Sequence, residues 1–323
     1  MDYGKILARA FEITYKYRAL WLFGFLLALF GGSGFNSFNY SFNGSSSSNN
    51  RFGFITPSLP PNVGQYIAVI VIALICVIVI WIVLGIIARF LSRGAVIGLV
   101  QELEANNTTP TVRRGFSIGT SRFWQLFGIS LIINLPLTIF SFAVILLAAL
   151  PFLAIIIPVI LGTARGGQNG LLAGGIITSI GILCCAILCL VAIELVIRPF
   201  FEFIVRVCVI EKRGVIDSIR DGYRMVRANL GKVVILYLLL IGTGIGFGLL
   251  MLPVSLLLIA IPLGVGVVAF VASQSMVAAI MAGVVVAIPF VLVLIFIEGL
   301  YQVFDSTVWT EGYLGVSKPA TTS

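Results

Sequence analysis

Histidine is missing from the 323-residue chain. With it go catalytic triads, histidine general acid–base chemistry and histidine metal sites. Charge is scarce too: 10% of residues are Asp, Glu, Lys or Arg, against about 25% in soluble domains. The sequence has no phosphate-binding G-x4-G-K-S/T pattern, no G-x-S-x-G with a base, and no acidic cluster suited to Mg²⁺. No enzyme activity, cofactor or metal is expected. Cysteine is sparse and unpatterned. Cys76, Cys184, Cys185 and Cys189 lie inside apolar runs, Cys208 follows one, and none forms a C-x-x-C pair. They are read as small packing residues, since nothing nearby would lower a thiol pKa.

What is abundant is apolar sequence. The chain is 60% hydrophobic with a mean hydropathy of +1.15. A soluble fold could not hide that much apolar surface, whereas lipid removes the difficulty. A span needs about 20 apolar residues to cross roughly 30 Å of hydrocarbon. Six candidates are predicted: residues 19–32, 66–88, a third from Leu126, 171–197, a fifth from Val233, and 276–297. The first follows a charged stretch ending at Arg18 with no A-x-A cleavage site, so it reads as an uncleaved span. Two runs exceed one crossing. Residues 126–161 contain Pro136, Pro151 and Pro158; residues 233–272 contain Pro253 and Pro262, with a break expected at Gly264 and Gly266. Each is predicted to be a span followed by a bent apolar extension, because proline kinks or ends helices. Eight spans, with these runs folded as hairpins, is the alternative.

The net charge of +8 does not point to nucleic acid, because the cations flank runs of membrane length. Under six spans, every basic residue except Arg51 and Arg165 falls on one side. That bias assigns the basic side, and both termini, to the cytoplasm of a cell membrane. The expected organisation is one transmembrane domain over residues 1–316, with a Ser/Asn/Gly-rich flexible outer loop at 31–65, inner loops at 89–125 and 198–232, and a tail at 317–323. Asn39-Tyr40-Ser41 and Asn43-Gly44-Ser45 in the outer loop match the glycosylation sequon.

The fold class is all-α, a polytopic helical bundle with amphipathic helices on the inner face and a threefold internal repeat. Arg9-Ala10-Phe11 precedes Arg18-Ala19-Leu20-Trp21-Leu22-Phe23-Gly24, and Arg114-Gly115-Phe116 precedes Arg122-Phe123-Trp124-Gln125-Leu126-Phe127-Gly128. A fainter copy has Asp221-Gly222-Tyr223 before Asn229-Leu230-Gly231-Lys232. Convergent interface composition is the competing explanation, since Trp, Tyr and Arg are favoured at that depth. In the third copy Ile216, Ile219, Tyr223, Val226 and Leu230 form one helical stripe, flanked by Arg213, Arg220, Arg224 and Arg227. These four arginines are the candidate contacts to anionic lipid headgroups. Packing of the stripe on the protein's own spans is the alternative. Ile6, Leu7, Ala10, Phe11, Thr14 and Tyr17 form the corresponding face of the first copy, and Thr109-Pro110 reads as an N-cap and first-turn proline for the middle one.

Glu194, Arg198, Glu202 and Arg206 recur every four residues in the favourable Glu-before-Arg order, with Pro199 expected to interrupt the helix. An interfacial ion-pair network is the preferred reading over a coupling-ion site. The glycine-rich stretch Gly242, Gly244, Gly246 and Gly248 is read as close helix packing.

The basic segments entering spans, the stretch Cys208-Val209-Ile210-Glu211-Lys212-Arg213-Gly214, and the ending Phe304-Asp305-Ser306-Thr307-Val308-Trp309-Thr310 together carry a resemblance. The chain resembles uncharacterised bacterial integral-membrane proteins related to the membrane domain of glycerophosphodiester phosphodiesterases. The resemblance implies the membrane part alone, because the catalytic barrel of those enzymes has no counterpart here. The expected role is a non-enzymatic membrane component that organises lipids or a membrane-protein partner through a basic inner face. A transporter for a small or lipidic solute is the second reading.

Overall fold

The computed structural model describes residues 2–30, 63–106, 109–160 and 169–317. The outer loop with its two sequons, apart from residues 63–65, and nearly all of the predicted tail lie outside these residues. Among the described residues the fold is helical, with no strand. In chain order the helices are α1 (Tyr3–Lys16), α2 (Arg18–Phe30), α3 (Val63–Asn106), α4 (Val112–Ile160), α5 (Asn169–Ile210), α6 (Val215–Ala228), α7 (Leu230–Ser273) and α8 (Met276–Ser317). Five are long and apolar enough to cross a membrane; α1 and α2, bent by 95° at their junction, make up to a sixth span. The chain is therefore a multi-pass helical membrane protein, compatible with six spans.

The long helices outrun the bilayer. The 44 residues of α3 extend for about 66 Å at 1.5 Å per residue, roughly twice the hydrocarbon thickness. Each of these helices therefore joins an apolar stretch to a charged one; α3, α4, α5 and α7 carry Arg or Lys there, whereas α8 carries Glu298, Asp305 and Glu311. The expected inner loops at 89–125 and 198–232 are mostly helix: α3 continues to Asn106, α4 starts at Val112, α5 continues to Ile210, and α6 fills Val215–Ala228. The expected breaks are also helical. α4 runs through Pro136 and Pro151, and α7 runs through Pro253, Pro262, Gly264 and Gly266 without interruption. Pro199 likewise lies inside a continuous α5. In lipid no water competes for the backbone, so a helix that loses one bond at a proline still outcompetes an opened chain.

The described residues divide into two compact units, those up to Phe123 with 238–315, and those of 124–237 with Val316 and Ser317. The core of the first unit is built on the basic end of α3. Leu91, Ala95, Val96, Leu99, Val100 and Leu103 cluster with Ile13, Leu20, Phe23 and Val303. Gly98 and Gly119 let helices approach closely: a Cβ on Gly98 would sit 2.5 Å from the Ile118 side chain, and one on Gly119 would collide with the Leu91 carbonyl oxygen. Gly24 of α2 and Gly299 of α8 meet backbone to backbone, since a Cβ on Gly24 would lie 2.5 Å from the Gly299 oxygen. Small residues at helix crossings are how apolar helices associate where lipid supplies no hydrophobic drive.

In the second unit Phe203, Val205, Val207 and Cys208 of α5 are buried, and α6 packs on α5 through Ser218, Gly222 and Val226. A Cβ on Gly222 would lie 2.7 Å from the Ile204 side chain and 2.9 Å from its Cα. The link between α5 and α6 turns at Lys212, whose φ of 58° is left-handed.

The packing role expected of cysteine holds only for buried Cys208; Cys76, Cys184, Cys185 and Cys189 are exposed on apolar stretches. The glycine-rich stretch of α7 is likewise open at Gly242, Gly246 and Gly248, where an added Cβ would meet nothing within 4 Å. Only Gly244 is close to another group, the Tyr301 hydroxyl at 3.0 Å. These positions face away from other helices, so glycine there reflects no close approach.

Candidate functional site

The basic ends of the helices carry the ion pairs, and local sequence explains how each is placed. α1 begins at Asp2, whose carboxylate accepts the Lys5 backbone N–H at 3.2 Å. This N-cap holds the first turn. Arg9, two turns on, donates from Nε to Glu104 of α3 and from Nη1 to Glu12, each at 2.9 Å. Glu104 first and Glu12 second hold the Arg9 guanidinium above its ordinary range. Arg114, in the first turn of α4, grips Glu102 of α3, with Nη2 to Oε1 at 2.6 Å. Arg9 of α1 and Arg114 of α4 are thus fastened to one post, the acidic C-terminal end of α3. The helix of the middle copy begins at Val112, so Thr109 and Pro110 precede it rather than cap it. Spacing within a helix gave no sign of either clamp, because both partners are distant in sequence.

The three repeated segments use equivalent positions alike. Ala10, Gly115 and Gly222 are buried; so are Thr14, Gly119 and Val226, four residues later. The aromatic next to the first position, Phe11, Phe116 or Tyr223, is exposed in each. The charged residue before it is ion-paired in each: Arg9 to Glu104, Arg114 to Glu102, Asp221 to Arg213 at 2.9 Å. The entry into the following helix differs. α1 and α2 meet at a 95° elbow, α6 and α7 are separated at Asn229, and the middle copy is continuous with its apolar stretch.

Within the predicted four-residue ladder, Glu202 and Arg206 form a buried pair. Arg206 is fully buried, and its Nη1 donates to Glu202 Oε2 at 2.6 Å and to the Glu202 carbonyl at 2.7 Å. Arg198 and Glu194, one and two turns before Glu202, are exposed. Exposure changes between Arg198 and Glu202 because the helix passes there from its apolar stretch into packed structure.

The arginine-flanked stripe of α6 is also divided. Val226 is buried against α5, whereas Ile216 (77% exposed), Tyr223 (49%) and Leu230 (47%) face outward. Tyr223 stacks on Phe200 with ring centroids 5.7 Å apart. On a wheel at 100° per residue the buried face, the exposed apolar edge and the arginines follow one another in that order. Arg220, Arg224 and Arg227 are exposed. Arg213 is not equivalent to them, since it bonds Glu211 at 3.1 Å and Asp221 at 2.9 Å.

Among the described residues no group of His, Cys, Asp or Glu could hold a metal ion. The recesses of the first unit include an apolar one of about 680 Å³ between α7 and α8, lined by Pro262, Gly266 and Gly283 among others. A smaller one, about 360 Å³, lies where α1, α2, α7 and α8 meet. Sequence reasoning did not anticipate either, because their walls come from distant segments.

Long apolar helices, a packed basic end and an arginine edge define an integral membrane protein. The chain belongs to a family of unknown function (DUF7544), whose pattern matches residues 9–307. No curated protein and no solved structure matches it. Nothing in these comparisons links the family to the membrane domain of glycerophosphodiester phosphodiesterases.

Proposed function

We propose that this protein is a non-enzymatic component of the cytoplasmic membrane, oriented with its basic end and both termini in the cytoplasm, that gathers anionic lipid at the inner leaflet. One observation carries the reading: on α6 the exposed edge of Ile216 and Tyr223, continued by Leu230 at the start of α7, runs beside exposed Arg220, Arg224 and Arg227. An apolar edge sunk among acyl chains sets neighbouring arginines at phosphate depth. Each cation near an anionic surface is worth about 1 kcal/mol. The bias of basic residues to one side supports the orientation.

The test is lipid enrichment around the full chain in nanodiscs of mixed phosphatidylglycerol and phosphatidylcholine. The protein should retain phosphatidylglycerol preferentially, and less so as salt rises. Joint replacement of Arg220, Arg224 and Arg227 by Gln should remove most of the preference. An unchanged preference in that variant rejects the lipid role for α6 and leaves a protein partner as the occupant of this edge.

A further inference from the structure

At the elbow between α1 and α2, we propose, the first unit holds one acyl chain of an anionic phospholipid, with its headgroup at Lys16 and Arg18. The recess of about 360 Å³ is walled by Thr14, Trp21, Thr243, Phe247, Tyr301 and Phe304, among others. Its wall is apolar by construction. The Thr14 hydroxyl donates to the Ala10 carbonyl at 2.8 Å, the Thr243 hydroxyl to the Leu240 carbonyl at 2.9 Å, and the Trp21 Nε1–H to the Thr14 carbonyl at 2.6 Å. These donors are committed within the helices, so rings and methyl groups are what they leave for an occupant. Phe247 and Tyr301 stack nearly parallel, with centroids 4.2 Å apart, and give the recess a flat side.

One cation, Arg18, stands beside the wall, and a second, Lys16, lies two residues before it at the elbow. The Arg18 guanidinium carbon lies 6.0 Å from the centroid of the Trp21 ring, itself part of the wall, and Lys16 Nζ lies 5.8 Å from that of Tyr17. Both side chains are exposed. The 95° elbow sets these cations where a surface-lying helix turns into a membrane-directed one, the depth at which a lipid phosphate sits above its chains. An apolar slot with Arg18 beside its wall and Lys16 at the adjoining elbow matches one chain of an anionic phospholipid better than it matches a polar solute. This site shares the membrane orientation with the proposed function but none of the α6 residues.

The experiment uses the full chain in nanodiscs containing a phosphatidylglycerol that carries a photoreactive group on one acyl chain, with the crosslinked peptides mapped. Labelling should concentrate on the peptides bearing Trp21 and Tyr301. Thr243→Phe, which fills the recess, should abolish that labelling in protein that remains monodisperse. Thr243→Val, which keeps the volume and removes a hydroxyl already committed to Leu240, should leave it intact. Arg18→Gln should lower labelling by phosphatidylglycerol about fivefold, the factor for one cation at a lipid surface. The same change should leave labelling by a phosphatidylcholine probe unaltered. Replacement of Arg220, Arg224 and Arg227 should not change labelling at the recess, which separates failure of this site from failure of the α6 edge. Labelling spread evenly over the apolar stretches, labelling that survives Thr243→Phe, or equal labelling by the two lipids before and after Arg18→Gln would overturn the proposal.

Discussion

Residues 71–84 and 94–100 belong to the same helix, α3, and both are apolar; the first stretch is exposed on every side and the second is buried on every side. Hydropathy does not separate them. What does is side-chain size and the charge that follows. The exposed stretch is dominated by Val, Ile and Leu with one Trp, whereas the buried one contains Gly94, Ala95 and Gly98 and leads into Glu102 and Glu104. Small residues let α4 approach, and the two carboxylates fasten α1 and α4 by Arg9 and Arg114. The lesson is a division of labour along one helix, with lipid as the solvent of one half and the protein's own core around the other.

That contrast can be broken most forcefully at the buried ion pair. Removing one partner leaves an uncompensated charge, so Arg206→Ala or Glu202→Ala should destabilise the protein by about 3–5 kcal/mol, read by denaturant unfolding in detergent. Replacing both together with Met and Leu should recover most of the loss. Glu194→Gln, one turn into the exposed stretch, should stay within about 0.5 kcal/mol of the parent. A large effect at Glu194 would give it a role that its exposure does not suggest.

Core truncation comes next. Leu99→Ala, at a residue 1% exposed, should cost about 2–5 kcal/mol. Ile80→Ala on the same helix removes side chain only from lipid and should change stability by about 0.5 kcal/mol or less. Equal costs would erase the distinction between the two halves of α3.

Glycine substitutions sharpen the comparison with a smaller effect. Gly24→Ala forces a Cβ into the Gly299 backbone and should cost about 1–3 kcal/mol. Gly128→Ala, at the matching place in the repeat, meets only the Val215 side chain at 3.4 Å and should be tolerated. Gly248→Ala faces open space and should leave thermal stability unchanged or slightly raised, as alanine is the better helix former by about 1 kcal/mol. The least effect is expected at Lys212, where Gly would relieve a left-handed backbone and raise the unfolding temperature slightly.

Much of the fold was legible because membrane thickness imposes a length on every apolar run. The 66–88 and 276–297 stretches each fall within one long helix, and the change at Arg18 from an amphipathic face to continuous apolar sequence marks the boundary between α1 and α2, though not its 95° bend. Proline misled in residues 126–160 and 233–272, where propensities drawn from water overstate the power of a single ring to end a helix in lipid. The inner segments were read as loops with surface helices, yet they hold the core, since burial of Val96 or Phe203 depends on partners far away in sequence. The α6 stripe was recovered in part: periodicity located the face but not the seam between the buried Val226 and the exposed Tyr223. In the ladder, regular spacing gave the shared helix face but not the change from exposed Glu194 and Arg198 to buried Glu202 and Arg206.

Orientation of the basic ends is the claim on which the functional reading stands. A chain with its five cysteines replaced and Arg220→Cys introduced should resist a membrane-impermeant thiol reagent added to intact cells, and react with it in inverted membrane vesicles. Labelling of that position from outside intact cells would contradict the account.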